Sequence, residues 1–427
     1  MKIGRTRIGK YIRTVWDNHR RHTRMVLAAL PFILLTVGVG LCIFSAVRLV
    51  QIKESQKSQI AAELWSGDSG KSYRQLTCFA RGQHQTDGTP DLYLSTNVSL
   101  NIQDIESIRT NLDTIVNSAS GEKNKSKNSG KTAAESDDKK LWIDAYSSAA
   151  ACTVVREATA VKPQASAEVQ VTGVAGDYYL FHPLTLLSGA FLSEDTIDSK
   201  KIVLDKELAF KLFGFYDVVG SDVMISQRHY TIVGVVQHPD TKIDISTSGD
   251  LLHAYILFDE LTFLSGAAVD PGSVPATADG SAAAEKIAVS AASAGIADSN
   301  AFSGAKTDSS TLAVSCYEVV LPNKIRGIAL QNFGNAMESA GKVEKNFLIV
   351  DNTSRFSLLR LYDTVFPIGE NALERQQYDL PFWELSAQKA ESVAVFWCFI
   401  GLSGFALILT SGLSVYTGVH KRKESGV

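Results

Sequence analysis

Two stretches of the chain carry no formal charge over more than twenty positions. Residues 25–47 form one such run of 23, closed by Arg24 and Arg48, and residues 392–419 form another of 28, closed by Glu391 and by His420-Lys421. Roughly 20 apolar residues in a helix cross a hydrocarbon core of about 30 Å, and a helix satisfies its own backbone hydrogen bonds there. Transmembrane helices are therefore predicted over 25–50 and 391–419. The first reads as an uncleaved anchor, because its apolar run exceeds the roughly 7–15 residues of a signal-peptide core and no A-x-A site follows it. Pro31 is close enough to the start of that span to be tolerated.

Between the spans the pattern changes to short β-branched runs and a few helical stripes. Strands are predicted over 72–81, 91–100, 150–162, 167–174, 201–204, 222–226, 229–236, 255–258, 317–321 and 346–350. Asn101 can cap a helix over 101–117 that places Ile102, Ile105, Ile108, Leu112 and Ile115 on one face. Further helices are predicted over 51–64, 205–213 and 324–339. Residues 118–140 and 265–310 are polar or rich in small residues, lack periodicity, and read as flexible insertions. The element order, β–β–α–β first and β–α–β last around a β-rich block, gives an α+β domain. It is a split α+β lobe with an inserted β-rich lobe, flanked by two transmembrane α-helices.

Charge orients this arrangement. Residues 1–24 carry eight basic side chains against Asp17 alone, and the tail 420–427 holds Lys421, Arg422 and Lys423. The positive-inside rule puts both termini in the cytoplasm and residues 51–390 outside the plasma membrane. Ile8, Tyr11, Ile12, Val15 and Trp16 share one helical face, with Arg7, Lys10 and Arg13 elsewhere, as in a helix lying on anionic lipid. Arg7, Lys10, Arg13 and Trp16 are thus candidate contacts with the bilayer or a partner. Gly401 and Gly404 permit close helix packing inside the second span and hint at a membrane partner. The segment between the cytoplasmic ends holds 31 basic and 43 acidic residues, which argues against a nucleic-acid partner.

Candidate chemistry is sparse. Cys42 and Cys398 lie in the spans, and Cys78, Cys152 and Cys316 can form at most one disulfide among themselves. Gly70-Lys71-Ser72 and Gly130-Lys131-Thr132 imitate a phosphate-binding loop, but Trp65 and Lys125 stand where its first glycine belongs. The eight histidines include no metal-ligand spacing, and His182 and His229 read as surface or turn residues. No catalytic set, metal site or cofactor site is predicted.

Residues 169–258 carry a resemblance. It rests on Val171-Thr172-Gly173-Val174, Asp177-Tyr178-Tyr179, Leu186-Leu187-Ser188-Gly189-Ala190-Phe191, Ile202-Val203-Leu204-Asp205 and Leu212-Phe213-Gly214. Val219-Gly220 and Tyr230-Thr231-Ile232-Val233-Gly234-Val235-Val236 complete it. These resemble the periplasmic core domain of MacB-like ABC transporter permeases, a family related to FtsX and LolC/LolE proteins. Gly173, Gly189, Phe213, Gly214, Gly220 and Gly234 are read as fold-keeping residues. Gly189-Ala190 departs from the family's common Gly-Arg. Such permeases look like four-span proteins whose later spans enclose a cytoplasmic loop that engages an ATPase, so two spans make this a truncated variant. The resemblance implies a permease-like subunit of an ABC transport or mechanotransmission system, acting with an ABC ATPase and a further permease subunit. The alternative is a stand-alone membrane-anchored binding or scaffold module without ATPase coupling.

Overall fold

The computed structural model describes residues 3–67, 72–84, 93–94, 96, 98–120, 140–158, 163–194, 198–239, 241–248, 251–264, 312–353, 355–357, 360–361, 378 and 380–424. Residues 121–139 of the predicted insertion 118–140, the insertion 265–310, the loop-like fragments around Lys71 and Lys131, and the tail 425–427 lie outside these; residues 118–120 are helical instead of loop.

A single helix, α1 (Ile3–Ser55), contains the first apolar run, and α9 (Phe382–Glu424) contains the second. Over Ala29–Ser55 and Phe382–Thr417 both are long and apolar enough to cross a membrane. They pack along each other in antiparallel fashion, with Pro31 beside Ser411, Gly38 beside Gly404 and Ser45 beside Trp397. Both chain ends therefore emerge at the same end of the pair. Arg7, Lys10, Arg13 and Trp16 fall on α1, and their side chains are outside the described residues.

Helix α1 stops sooner than its polar continuation suggests. Gln56 leaves helical geometry, Lys57–Gln59 makes a single tight turn, and a short helix α2 (Ala61–Ser66) follows. The break is held from elsewhere in the chain: Gln75 Oε1 accepts from the Ala61 N–H at 2.9 Å, and its amide donates to Ser58 O at 2.7 Å.

The strands are β1 (Tyr73–Phe79), β2 (Gln83–His84), β3 (Tyr93–Leu94), β4 (Ile143–Arg156), β5 (Ala165–Gly176), β6 (Thr185–Gly189), β7 (Lys201–Asp205), β8 (Asp222–Ile225), β9 (Arg228–Gln237), β10 (His253–Leu257), β11 (Cys316–Pro322) and β12 (Leu348–Asp351). One sheet holds ten of them in the order β12-β1-β11-β4-β5-β10-β7-β9-β6, with β8 joined to both β4 and β9; β2 and β3 pair separately. The double pairing of β8 closes a ring, β4-β5-β10-β7-β9-β8. This ring is the β-rich block, while β12, β1 and β11 form the open side built from both ends of the segment. Strand β4 serves both: Ile143–Ser147 pairs with β11, Val154 and Val155 pair with β8, and Ala145–Arg156 pairs with β5.

The helices form where their apolar faces have something to cover. Helix α3 (Ile102–Ser120) buries Ile105, Ile108, Leu112 and Val116. Asn101 and Asp104 cap it reciprocally, each side chain accepting the other's backbone N–H at 2.8 and 2.9 Å. Helix α8 (Ile328–Ser339) packs beside it through Phe333 and Met337, beginning only after Gly327 rather than at 324. Helix α5 (Lys206–Phe213) is capped by Asp205 and buries Leu208, Ala209 and Leu212. Gly214 closes it at φ +83°, its N–H donating to Phe210 O at 2.8 Å.

Several local expectations change. Among the described residues of 91–100 only Tyr93–Leu94 forms a strand, and Ser99 turns the chain by donating to Arg81 O and bonding back to Thr96. Phe258 begins a helix, α7 (Phe258–Leu264), instead of ending a strand, and α4 (Tyr178–Phe181) and α6 (Lys242–Ser248) also form where none is predicted. The five cysteines are free. Cys78 and Cys316 lie on neighbouring strands but belong to separate apolar clusters, so no bridge joins them.

Candidate functional site: the junction of sheet and membrane helices

The N-terminal turns of α9 lie against the open side of the sheet, and buried polar groups converge there. Arg355, just past β12, donates from both terminal nitrogens to Glu384 at 2.6 and 2.7 Å and from Nε to Glu391 at 2.6 Å. All three side chains are almost wholly buried. Burial works against the guanidinium charge, but the two carboxylates overcome it and hold Arg355 above its ordinary range. Arg355 also donates to Asn352 Oδ1 at 3.2 Å, Asn352 donates to Thr77 Oγ1 at 2.8 Å, and Thr77 donates to Glu318 Oε1 at 3.1 Å. Glu318 in turn meets His182 Nε2 at 2.5 Å.

This chain of contacts closes on the helix where it began. The His182 ring lies 4.5 Å from the ring of Trp383, the residue before Glu384, and Phe79 of β1 packs against the same indole with ring centres 5.8 Å apart. His182, at the turn that ends α4, is thus buried and carboxylate-paired and not a surface residue. The acid that buries it, Glu318, stands 136 positions away in the sequence. His229 remains at the β8–β9 hairpin, opposite Met224.

A second cluster adjoins the first. His238 and His253 lie with ring centres 4.8 Å apart, both against Phe382 at the start of α9. His238 Nε2 meets the Tyr255 hydroxyl at 3.0 Å. Burial pushes His238 down to about 3, with a smaller push from His253, and burial alone pushes His253 down to about 4. Both imidazoles are therefore neutral at ordinary pH. Helix α6 completes the junction: Asp244 accepts from Ser386 of α9, and Ser246 meets Lys389.

Below the junction the two membrane helices touch closely. A Cβ on Gly38 would stand 2.6 Å from Gly404 O, and one on Gly401 would stand 2.8 Å from Ser45 Oγ. Ser45 donates to Trp397 O at 2.5 Å and Ser411 to Pro31 O at 2.6 Å. Gly401 and Gly404 thus face α1 of the same chain. Phe44 packs edge-on against Trp397, with Arg48 within 6 Å of both rings.

The described residues contain no group of three or more acidic, histidine or cysteine side chains suited to a metal ion. The arrangement joins the sheet to the start of α9 through buried ion pairs, hydrogen bonds and ring contacts.

The profile of the family described as MacB-like periplasmic core domain matches residues 33–301. The chain belongs to this family. Among solved structures it is similar to the periplasmic region of MacB from Actinobacillus actinomycetemcomitans, with 16% identity and a TM-score of 0.35, over 69% of this chain and 94% of that one. It is also similar to the extracellular domain of the noncanonic ABC-type transporter YknZ from Gram-positive bacteria, with 13% identity and a TM-score of 0.34, over 65% of this chain and 99% of that one. No curated protein matches.

In this MacB-like domain the residues quoted for the resemblance occupy close approaches and turns of the ring. A Cβ on Gly173 would lie 2.8 Å from Leu261 of α7, and at Gly189 and Gly234 it would collide with Val233 O and Ala190 O across the β6–β9 pair. The Gly220 N–H donates to Ile232 O at 2.8 Å, turning the chain into β8. Phe213 packs against the core beneath the guanidinium of Arg156. Of the quoted residues Tyr178 does reach the junction, its ring 4.6 Å from that of His182. That site was missed in the sequence because its partners are joined by sheet pairing and not by spacing.

Proposed function

We propose that this MacB-like chain is a permease-like membrane subunit of an ABC transport or mechanotransmission system. Residues 51–390 supply the extracytoplasmic domain, and spans 25–50 and 391–419 anchor it in the plasma membrane. The basic segments 1–24 and 420–427 stay in the cytoplasm, where Arg7, Lys10, Arg13 and Trp16 meet the inner leaflet or a partner. A separate ABC ATPase and a further permease subunit complete the assembly. The observation that carries this reading is that α9 runs unbroken from the Arg355–Glu384–Glu391 clasp into the apolar span, so displacement of the span is delivered to the sheet through a fixed joint.

Gentle-detergent purification of the tagged chain from its native membranes tests this. Recovery of an ABC ATPase in stoichiometric amount is expected, and its loss when residues 1–24 are replaced by a neutral sequence would locate the contact. Recovery of the chain with no ATPase would sink the reading. One observation favours the alternative of a stand-alone anchored binding or scaffold module: the small residues of α1 and α9 are occupied by each other.

A further inference from the structure

Beside the junction, a groove of about 270 Å³ opens between the end of α1, the start of β6 and the loop leading into α6. Its wall carries Ser55, Lys57, Thr185, Gln237, His238 and Thr241. It continues into a narrow slot bounded by Tyr178, His182, Tyr255, Phe382 and Trp383. The two spaces share Ser55, Lys57, Pro183 and Pro239, so they form one cleft with a polar mouth and an aromatic floor.

We propose that the mouth of this cleft binds a phosphate group, carried by a lipid headgroup of the adjacent leaflet. Four features point there. First, the helical rise of about 1.5 Å per residue puts Ser55 only about 10 Å beyond Arg48, at the border of the headgroup layer. Second, α6 stands beside the outer ends of both spans: Ile243 packs with Leu49 and Ile52, while Ile245 is exposed. Third, the mouth offers donors suited to a phosphate: the Lys57 ammonium, the Thr185 hydroxyl and the Gln237 amide. The nearby carboxylate of Asp244 is engaged by Thr241 and Ser386. Fourth, the imidazole Nδ1 atoms of His238 in the wall and of His182 in the slot have no hydrogen-bond partner among the described residues.

The inference uses the membrane-anchored reading only to place the bilayer. It requires no ATPase, so its failure is separable from failure of the transport reading. The test is calorimetric titration of the full chain in phosphate-free maltoside micelles with dihexanoyl phosphatidylglycerol, dihexanoylglycerol and inorganic phosphate. Saturable binding of the phospholipid is expected, with dihexanoylglycerol silent. Loss of one charge-assisted hydrogen bond in Lys57→Ala weakens it about tenfold, and Lys57→Arg restores it. Binding of inorganic phosphate in place of the phospholipid, with the same Lys57 dependence, retains the phosphate site and assigns it a soluble source. Equal binding of dihexanoylglycerol, or Lys57→Ala and Thr185→Val variants that fold and bind as tightly as the parent, would overturn the proposal.

Discussion

Arg355 is held by two carboxylates 29 and 36 positions away, and only the start of α9 brings them to one side of it. Removing the guanidinium strands two buried carboxylates, a change that costs about 3–5 kcal/mol. Arg355→Ala is therefore expected to lose stability by that amount in denaturant titration of the detergent-solubilised chain, whereas an Arg360→Ala change at an exposed site has little effect. The histidine pair makes a separate prediction. His238 and His253 are held near 3 and 4, below the ordinary imidazole value near 6.5, so the unfolded chain binds more protons than the folded one between these limits. Stability is complete above about pH 6.5 and falls as pH drops toward 3, by up to about 1.4 kcal/mol per pH unit for each imidazole. Melting curves across this range check it, and His253→Leu should flatten the slope. Neither cluster was legible in the sequence: the residues are ordinary, and their pairing exists only in three dimensions.

At the scale of elements, the long helices were readable because their apolar stripes persist for several turns, as Ile105, Ile108 and Leu112 do on α3. Helices α4, α6 and α7 have four to seven residues, too few for a helical period to stand out from a strand-like run. End signals were readable where they use one residue, as at Gly214. Replacing that residue with alanine keeps φ +83° but adds a Cβ, so Gly214→Ala is expected to cost roughly 1–2 kcal/mol in thermal or chemical unfolding. The glycine pair of the membrane helices makes a steric prediction. Gly404→Ile cannot keep Gly38 at contact distance, so spin labels at Ile33 and Leu409 should give a longer and broader distance distribution than in the parent.

For the whole molecule, the composition of the two lobes was legible, but not the fact that one sheet runs through both. That continuity depends on β4 being 14 residues long, where the β-branched run suggested a later start. Strand β8, four residues that pair with two strands, closes the ring within it. Amide exchange should follow this map: β5 and β10, flanked on both sides, open only with global unfolding, while the edge strands β6 and β12 exchange first.

Strand β12 has a consequence for the direction in which the domain yields to force. It is an edge strand of four residues, paired antiparallel with β1, and Leu76 of β1 lies opposite Asp351 of β12. The chain enters β1 from α1 by way of α2 and leaves β12 toward α9 at that same end of the pair. A tension that drew the two membrane helices apart would load the ladder bonds one after another, peeling β12 from the sheet as a zipper opens. A shearing load would break them together. The Arg355 clasp lies between β12 and α9, so it is the first fastening on that path to bear the strain.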